Sequence, residues 1–154
     1  MKYKIDSVKK EEYLKIIEVW EASVRATHHF LKEEDIAYFK PMILDQYLDL
    51  VELSSVRLEN NEIVGFLGVS EKNMEMLFLH PDHIGQGLGS MLVNYAIEKY
   101  QVNKVDVNED NERAVAFYKH LGFVVKSRSP LDPQGKPYPI LHMELPPASF
   151  QQTT

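Results

Sequence analysis

MEMLFLHPDHIGQGLGSML, residues 74–92, carries the strongest structural signal in this 154-residue chain. The pattern predicts an apolar strand, a turn at Pro81, a loop with Gly85, Gly87 and Gly89, and an amphipathic helix. Glycine lets the backbone turn sharply and lets a ligand approach main-chain N–H groups. The first turn of a helix leaves N–H groups without partners and carries partial positive charge. The stretch therefore predicts a site for a phosphate-bearing ligand.

Two common phosphate loops do not match this spacing. The nucleoside-triphosphate loop needs Gly-Lys-Ser/Thr at its end, whereas Gly89 is followed directly by Ser90. The dinucleotide fingerprint needs G-x-G-x-x-G within alternating strands and helices, whereas this loop is G-x-G-x-G and lies in mid-chain. Both kinds of site are excluded on spacing.

Composition indicates a globular protein. Hydrophobic residues make up 44% of the chain and charged residues 26%, and the length suits one domain. We expect a single domain over residues 1–146 and a frayed tail over residues 147–154. The absence of cysteine excludes a disulfide framework, a thiolate zinc site and a cysteine nucleophile, and it fits a reducing cytoplasm.

Charge and hydropathy argue against nucleic-acid and membrane partners. The formal net charge is -6, from 17 basic and 23 acidic residues, which does not favour nucleic-acid binding. The sequence has no apolar run long enough to cross a membrane, and its start, MKYKIDSVKKEE, lacks the apolar core of a signal peptide. We therefore expect a cytoplasmic protein without nucleic-acid or membrane partners.

The first half of the chain predicts one strand followed by helices. Residues 3–8 alternate as a strand, and Ser7 is a candidate cap for a helix. The apolar residues of that helix fall at helical spacing: Tyr13, Ile16, Ile17, Trp20 and Val24. A second helix is expected from Glu33, with a break near Lys40 because Pro41 suits the first turn of a new helix running to Leu50.

The second half predicts strands and two more helices. Strands are expected at residues 56–58, 63–69, 74–79, 104–108, 123–128 and 138–145. Asn60-Asn61 is a plausible hairpin turn, and residues 104–108 are expected to lie parallel to residues 74–79, because a helix connects them. A helix is expected from Asp110 to Gly122. The predicted order is β-α-α-β-β-β-α-β-α-β-β, a mixed α/β fold with a central mixed sheet flanked by helices.

Two blocks resemble the GCN5-related N-acetyltransferase (GNAT) superfamily. LFLHPDHIGQGLGSML resembles its acetyl-CoA block, Q/R-x-x-G-x-G/A, and NEDNERAVAFYKHLGF resembles its N-x-x-A-x-x-F-Y-x-x-x-G-F block. WEASVRATHHFL looks like a small bacterial subgroup that includes protein-lysine acetyltransferases. One position departs from the pattern, because Ile84 stands where the family has Arg or Gln, and Gln86 or His83 is a candidate to compensate.

The resemblance implies an acyltransferase with acetyl-CoA as its cofactor. It would pass acetyl directly to a primary amine, either a protein lysine, a protein N-terminus or a small amine, through a tetrahedral intermediate. The alternative is a non-catalytic acyl-CoA-binding regulatory protein with the same fold. Monomer and homodimer both stay open, and the acceptor is expected to be chosen by residues 20–53 and the loop at residues 129–139.

The same resemblance assigns residues to the cofactor. Backbone groups of the strand at residues 77–79 would pair with pantetheine, and an N–H of Phe78 or Leu79 would stabilise the oxyanion. Backbone N–H groups of residues 85–90 would hold the pyrophosphate, and Arg113, Lys119 and His120 are candidates for the 3′-phosphate. The expected cofactor-binding residues are Leu77, Phe78, Leu79, Gly85, Gln86, Gly87, Leu88, Gly89, Ser90 and Asn111.

Three residues are candidates for proton transfer. Tyr118 matches the tyrosine that would protonate the leaving thiolate, and it lies seven residues after Asn111 on one helix face. Glu75 and Asp106 are both candidates for the base, and a water chain is a further possibility. By strand alternation Glu75 is expected to share a face with Asn73 and Leu77.

Trp20 and His28 are the expected substrate-binding residues, because they lie where the superfamily places segments that contact the acceptor. An imidazole at residue 28 could relay protons. The six histidines show no spacing typical of a metal site, so no metal is expected.

Overall fold

The computed structural model describes residues 2–147 and contains one seven-stranded sheet. Its spatial order is β1-β2-β3-β4-β5-β7-β6, and only β4 and β5 are parallel neighbours. The predicted element order and the mixed sheet are confirmed. Residues 148–154, most of the predicted tail, lie outside the described residues. The strands are β1 Tyr3–Ser7, β2 Glu52–Leu58, β3 Ile63–Ser70, β4 Asn73–Leu79, β5 Lys104–Asn108, β6 Val124–Ser129 and β7 Ile140–Glu144.

Helices cover the two faces of the sheet with two separate cores. They are α1 Tyr13–Thr27, α2 Glu33–Met42, α3 Leu88–Tyr100 and α4 Glu112–His120. Phe66 of β3 packs in a core with α1 and α2, whereas its neighbour Leu67 packs in a core with α3. The alternation of a strand explains this division, because successive side chains point to opposite faces. Within residues 2–147 the structure contains no helix long and apolar enough to cross a membrane.

The sheet splits between its two parallel strands. β4 and β5 pair only at Asn73 with Lys104 and at Met74 with Val105. Beyond those pairs the strands diverge, and the last residues of β4 have no strand partner on that edge. The backbone groups of this open edge are therefore available to a ligand.

A β-bulge at Glu75 corrects the predicted alternation of β4. Gly68 pairs with Met76 and Val69 pairs with Met74, so Glu75 is the extra residue. Met74 and Leu77 consequently pack against the same core. The expectation that Glu75 shares a face with Asn73 and Leu77 was wrong, because an extra residue reverses the alternation beyond it.

Two helix predictions near the N-terminus also need correction. No break occurs at Pro41, because α2 runs through it to Met42. The chain then continues as π-helical turns over residues 43–47 and a 3-10 turn over residues 48–50. Ser7 does not cap α1, since it belongs to β1. Glu12 accepts a hydrogen bond from the Lys9 N–H at 3.0 Å instead.

The start of α1 is fixed to the sheet by a partly buried ion pair. Arg57 of β2 donates to both oxygens of Glu12, at 2.7 and 2.9 Å. These hydrogen bonds lower the pKa of Glu12 to about 2. The pair therefore anchors α1, and with it the segment that follows α1, against the sheet.

Candidate active site

The glycine loop leaves an open cradle at the start of α3. Gly85 and Gly87 adopt positive φ angles of 89° and 79°, and a Cβ on either would meet nothing within 4 Å. Gly89 has a different role, since a Cβ there would come within 3.1 Å of the Phe117 ring. The first turn of α3 carries no acidic residue, and its N–H groups have no partner within the helix. The cradle therefore fits the pyrophosphate of acetyl-CoA.

A groove of about 630 Å³ leads from this cradle along β4. Ile84 lines the groove, whereas Gln86 is exposed and does not. His83 is already in contact with the Tyr3 hydroxyl through Nδ1 at 3.3 Å. Neither side chain lines the groove in this structure, so compensation for Ile84 by Gln86 or His83 stays a prediction. Arg113 also lines the groove, but Lys119 and His120 are exposed and do not.

The open edge of β4 presents alternate backbone groups to this groove. The His80 N–H donates to the Val64 carbonyl of β3 at 2.8 Å, and Phe78 lies opposite Phe66 in the same register. Backbone groups in an antiparallel pair alternate in direction, so those of Phe78 also face β3. Those of Leu77 and Leu79 face the open edge. Of the two expected oxyanion donors, only Leu79 directs its N–H to the open edge, so the expectation for Phe78 is corrected. The oxyanion role itself stays a prediction.

Tyr118 projects from α4 to the point where two cavities meet. A second cavity, of about 490 Å³, lies between the diverging strands. The residues that line both cavities are His28, Leu77, Phe78, Asn111, Ala114 and Tyr118. Burial raises the pKa of Tyr118. No hydrogen bond to its hydroxyl is found within the described residues, so this protonated hydroxyl is available to a ligand.

His28 is held as a neutral imidazole beside Tyr118 by a short hydrogen-bond chain. The Thr27 hydroxyl donates to the Ser23 carbonyl at 2.7 Å, so His28 Nδ1–H must donate to that hydroxyl at 2.8 Å. Nε2 then accepts from Asn111 Nδ2 at 3.5 Å. Burial, with a smaller effect from His29, lowers the pKa of His28 to about 4. The neutral form fits the neighbouring apolar ring of Phe78.

Asn111 is both a helix cap and part of the groove wall. Its Oδ1 accepts from the Ala114 N–H at 3.2 Å, and α4 begins one residue later. Because this oxygen is occupied, the Nδ2 group is the donor toward His28 and toward the groove. The expected contact with the cofactor stays a prediction.

The second cavity is lined by acidic groups. Glu75, Asp106 and Asp132 contribute carboxylates, and no lysine or arginine of residues 2–147 lines it. Glu75 and Asp106 come from the two diverging strands and lie within reach of one cavity. The structure thus brings both predicted base candidates to the same space, at the junction with Tyr118.

Two further residues of this cavity were missed by the sequence analysis. His142 Nδ1 lies 2.7 Å from Asp106 Oδ1, and its Nε2 lies 2.7 Å from Ser129 Oγ. No motif marks either residue. Their approach depends on the pairing of β5 with β7 and of β7 with β6, which the sequence does not specify.

The structure places Trp20 away from both cavities. Its side chain is 4% exposed and belongs to the core formed by α1 and α2. The expectation that Trp20 contacts the substrate is therefore corrected, because a buried indole in a core cannot touch an acceptor. Among the described residues no cluster of side chains could hold a metal ion.

Comparisons with known proteins identify the family of this chain. Residues 14–123 match the acetyltransferase (GNAT) family. The chain is 40% identical over 136 residues to the peptidyl-lysine N-acetyltransferase YjaB of Salmonella typhimurium, covering 88% of this chain and 93% of that protein. The solution structure of apo-form YjaB from Escherichia coli superposes with a TM-score of 0.85 at 36% identity, over 94% of this chain and 97% of that one.

A more distant structure shares the fold. The crystal structure of the PaiA N-acetyltransferase from Thermoplasma acidophilum, in complex with coenzyme A, has a TM-score of 0.73 at 19% identity, over 94% of this chain and 99% of that one. That structure supports the fold alone, whereas the family match and the 40% identity to YjaB are similarities of sequence and therefore show the family. The chain therefore belongs to the acetyltransferase (GNAT) family and is an N-acetyltransferase that uses acetyl-CoA.

Proposed function

We propose that this enzyme acetylates the ε-amino group of lysine in a protein or peptide. The observation that carries the proposal is the acidic cavity that joins the cofactor groove at Tyr118. A lysine side chain arrives as a cation, and carboxylates at Glu75 and Asp106 would attract it. The relative named above as a peptidyl-lysine N-acetyltransferase, YjaB of Salmonella typhimurium, supports the same acceptor class.

The shape of the second cavity also favours an acceptor on a polypeptide. Most of β6, at one side of the cavity, is exposed, which leaves room for the chain that carries the lysine. The loop at residues 130–139 forms another wall and contributes Leu131 and Pro133 as apolar surface for the methylene stem. One carboxylate oxygen of Asp132, Oδ1, already accepts hydrogen bonds from the Gln134 and Lys136 N–H groups, at 2.9 Å each. Glu75 and Asp106 are thus the main candidates to meet the ammonium group.

The proposed mechanism assigns a task to each part of the junction. Acetyl-CoA supplies a thioester carbonyl open to attack by a neutral amine. The N–H groups of residues 88–90 bind its pyrophosphate, and the Leu79 N–H stabilises the charge that develops on the carbonyl oxygen. Tyr118 donates a proton to the departing sulfur. Its raised pKa does not prevent this, because a thiolate formed in the same desolvated cleft is also a stronger base than in water.

We also propose that the enzyme works in the cytoplasm, as a monomer or homodimer, without a nucleic-acid or membrane partner. A chain without cysteine suits a reducing compartment, and the acidic balance of 23 carboxylates against 17 basic groups disfavours nucleic acid. Sedimentation of the protein at micromolar concentrations would decide between one chain and two.

A turnover assay tests the proposal. The acceptor is a peptide with a blocked N-terminus and one lysine, and the matched control carries arginine at that position. We expect coenzyme A release only with lysine, and a rising KM for the peptide as salt screens the acidic cavity. A short diamine tests the small-amine alternative.

Calorimetric titration measures cofactor binding apart from turnover. We expect acetyl-CoA to bind at about -8 kcal/mol, the value for a micromolar site. Binding of acetyl-CoA without release of coenzyme A from any lysine peptide would contradict the proposed acceptor. Release with the diamine but not with the peptide would replace the proposed acceptor by a small amine.

A further inference from the structure

Three side chains form a hydrogen-bonded row across three neighbouring strands. Asp106 of β5, His142 of β7 and Ser129 of β6 are linked in that order, with both contacts at 2.7 Å. All three line the second cavity. The row therefore runs from one of the diverging strands to the exposed edge of the sheet.

The chemistry of these groups fixes the direction of the hydrogen bonds. An ionised carboxylate only accepts, so His142 Nδ1–H must donate to Asp106. His142 Nε2 then carries the lone pair and accepts from the Ser129 hydroxyl. An imidazole oriented in this way by a carboxylate is arranged to take a proton at Nε2 and to be stabilised as imidazolium.

The other base candidates are placed less well. Glu75 is exposed at the bulge of β4, and it makes no hydrogen bond or ion pair within the described residues that would hold its side chain in one position. Asp106 is positioned, but its Oδ1 accepts the hydrogen bond from His142. His28 Nε2 faces Asn111, and burial disfavours its protonation. Of these groups, only His142 has one ring nitrogen held by a carboxylate and the other accepting from a hydroxyl that lines the cavity.

We propose that His142 is the base that deprotonates the lysine acceptor, with Asp106 as a positioning residue and the Ser129 hydroxyl as the relay to the amine. The inference rests on the proposed function and deepens it. The ammonium group gives one proton to Ser129 Oγ as the Ser129 proton moves to His142 Nε2. The neutral amine then attacks the thioester, its nitrogen forms the new C–N bond, and the C–S bond breaks with Tyr118 protonating the sulfur. The second amine proton leaves the nitrogen as the intermediate collapses and restores the Tyr118 hydroxyl through solvent. His142 gives its proton to solvent, so each turnover releases one proton.

Other charged groups near Asp106, His142 and Ser129 would also affect the pH dependence of activity. Glu75 of β4 and Asp132 of the 130–139 loop line the same cavity, and His28 lies at its junction with the groove. On the strands themselves the neighbouring charged residues are Lys104 of β5, Glu144 of β7, and Lys126 and Arg128 of β6. Arg128 is paired with Glu109 at 2.6 Å. A pH profile must therefore be read as a difference between variants.

The experiment compares the pH dependence of kcat/KM for the lysine peptide in matched variants. His142→Gln keeps a hydrogen-bonding side chain but cannot take the proton. At pH 7 we expect kcat/KM to fall by about 10²–10⁴-fold, the usual contribution of a general base. The deficit should shrink as the pH approaches about 10, because a lysine amine with a pKa of about 10.4 then becomes neutral without help. A purely structural loss would be the same at every pH.

Companion variants separate the roles. Asp106→Asn should lower kcat with the same pH-dependent deficit, and Ser129→Ala should do so more weakly, while the KM for acetyl-CoA stays constant. Ser127→Ala removes the neighbouring hydroxyl on β6 and should behave as wild type. Thermal unfolding of each variant checks the fold.

Three outcomes are distinguishable. Absence of turnover by the wild-type enzyme with any lysine peptide contradicts the proposed function itself. Wild-type turnover with a pH-independent deficit in His142→Gln overturns the relay. A full, pH-dependent deficit in Glu75→Gln, with His142→Gln close to wild type, overturns it in favour of Glu75.

Discussion

The Tyr138 hydroxyl donates a hydrogen bond to the buried carboxylate of Asp35, whose other oxygen lies 2.9 Å from Lys136 Nζ. Asp35 belongs to α2, whereas Lys136 and Tyr138 belong to the loop at residues 130–139. Burial and this hydrogen bond raise the pKa of Tyr138 to about 12, and the same contacts lower the pKa of Asp35. α2 thus fixes the loop that forms one wall of the acceptor cavity.

Loosening this contact is expected to weaken acceptor binding alone. Tyr138→Phe removes the hydroxyl and leaves the Asp35 carboxylate with one partner fewer, so the loop loses part of its anchor. We predict a rise of about fivefold or more in KM for the lysine peptide, equivalent to roughly 1 kcal/mol. The Kd for acetyl-CoA should not change, because the loop does not line the cofactor groove. Tyr95→Phe, on α3, is the control. Weaker acetyl-CoA binding in Tyr138→Phe would show that the loop is coupled to the groove instead.

Gly87 and Gly135 offer a matched pair for testing the cofactor cradle. Their φ angles are 79° and 78°, and a Cβ on either would meet nothing within 4 Å. Replacing either by alanine should therefore cost the same backbone strain, about 1 kcal/mol of unfolding free energy. Only Gly87→Ala should weaken acetyl-CoA binding, because only Gly87 lies in the groove. Calorimetric titration and urea unfolding measure the two effects separately. Equal loss of binding in both variants would mean that strain, and not the cradle, sets the affinity.

Tyr118→Phe is expected to separate catalysis from binding. The hydroxyl acts on the departing sulfur, so its loss should lower kcat about 10²–10³-fold. The Kd for acetyl-CoA should stay nearly constant, because the interaction develops in the transition state. The unfolding free energy should not fall, since no hydrogen bond within the described residues holds this hydroxyl. A variant with near wild-type kcat would show that the sulfur departs unprotonated or takes its proton from water.

The fold was predictable because its strongest signals are local. Gly85 and Gly87 adopt positive φ angles that few other residue types allow, and residues 104–108 alternate as a strand requires. Gly122 has a φ of 103°, as a residue after a helix end often does. These signals gave the element order without tertiary information.

The site was less predictable because it depends on the register of strand pairing and on which faces of the helices and strands stay uncovered in the fold. Periodicity placed Trp20 on an apolar face, and α2 covers that face, so the residue became core. The bulge at Glu75 is a tertiary adjustment between β3 and β4 with no sequence signature. His142 and Ser129 meet Asp106 only because β7 inserts between β5 and β6. Pro41 lies within α2, and the chain continues from α2 into π-helical turns over residues 43–47, so the proline does not end the helical segment.

Acid should destabilise the folded enzyme through His28. Burial lowers the folded-state pKa of His28 to about 4, whereas in the unfolded chain a histidine has a pKa of about 6.5. Between these values the unfolded state binds more protons than the folded state, so the unfolding free energy falls as the pH drops from about 6.5 to about 4. At pH 5 the expected loss is roughly 1 to 2 kcal/mol relative to pH 7.5.

His28→Gln should remove this part of the pH dependence, whereas His29→Gln, at the exposed neighbouring position, should retain it. Urea unfolding at pH 7.5 and pH 5 measures the difference for each protein. His28→Gln should be less stable than wild type at pH 7.5, because the substitution alters the hydrogen bonds of Thr27 and Asn111. The comparison therefore uses the change in unfolding free energy with pH within each protein. An identical change in wild type and His28→Gln would mean that the imidazole already protonates in the folded state, and that the chain from Ser23 to Asn111 does not hold it neutral.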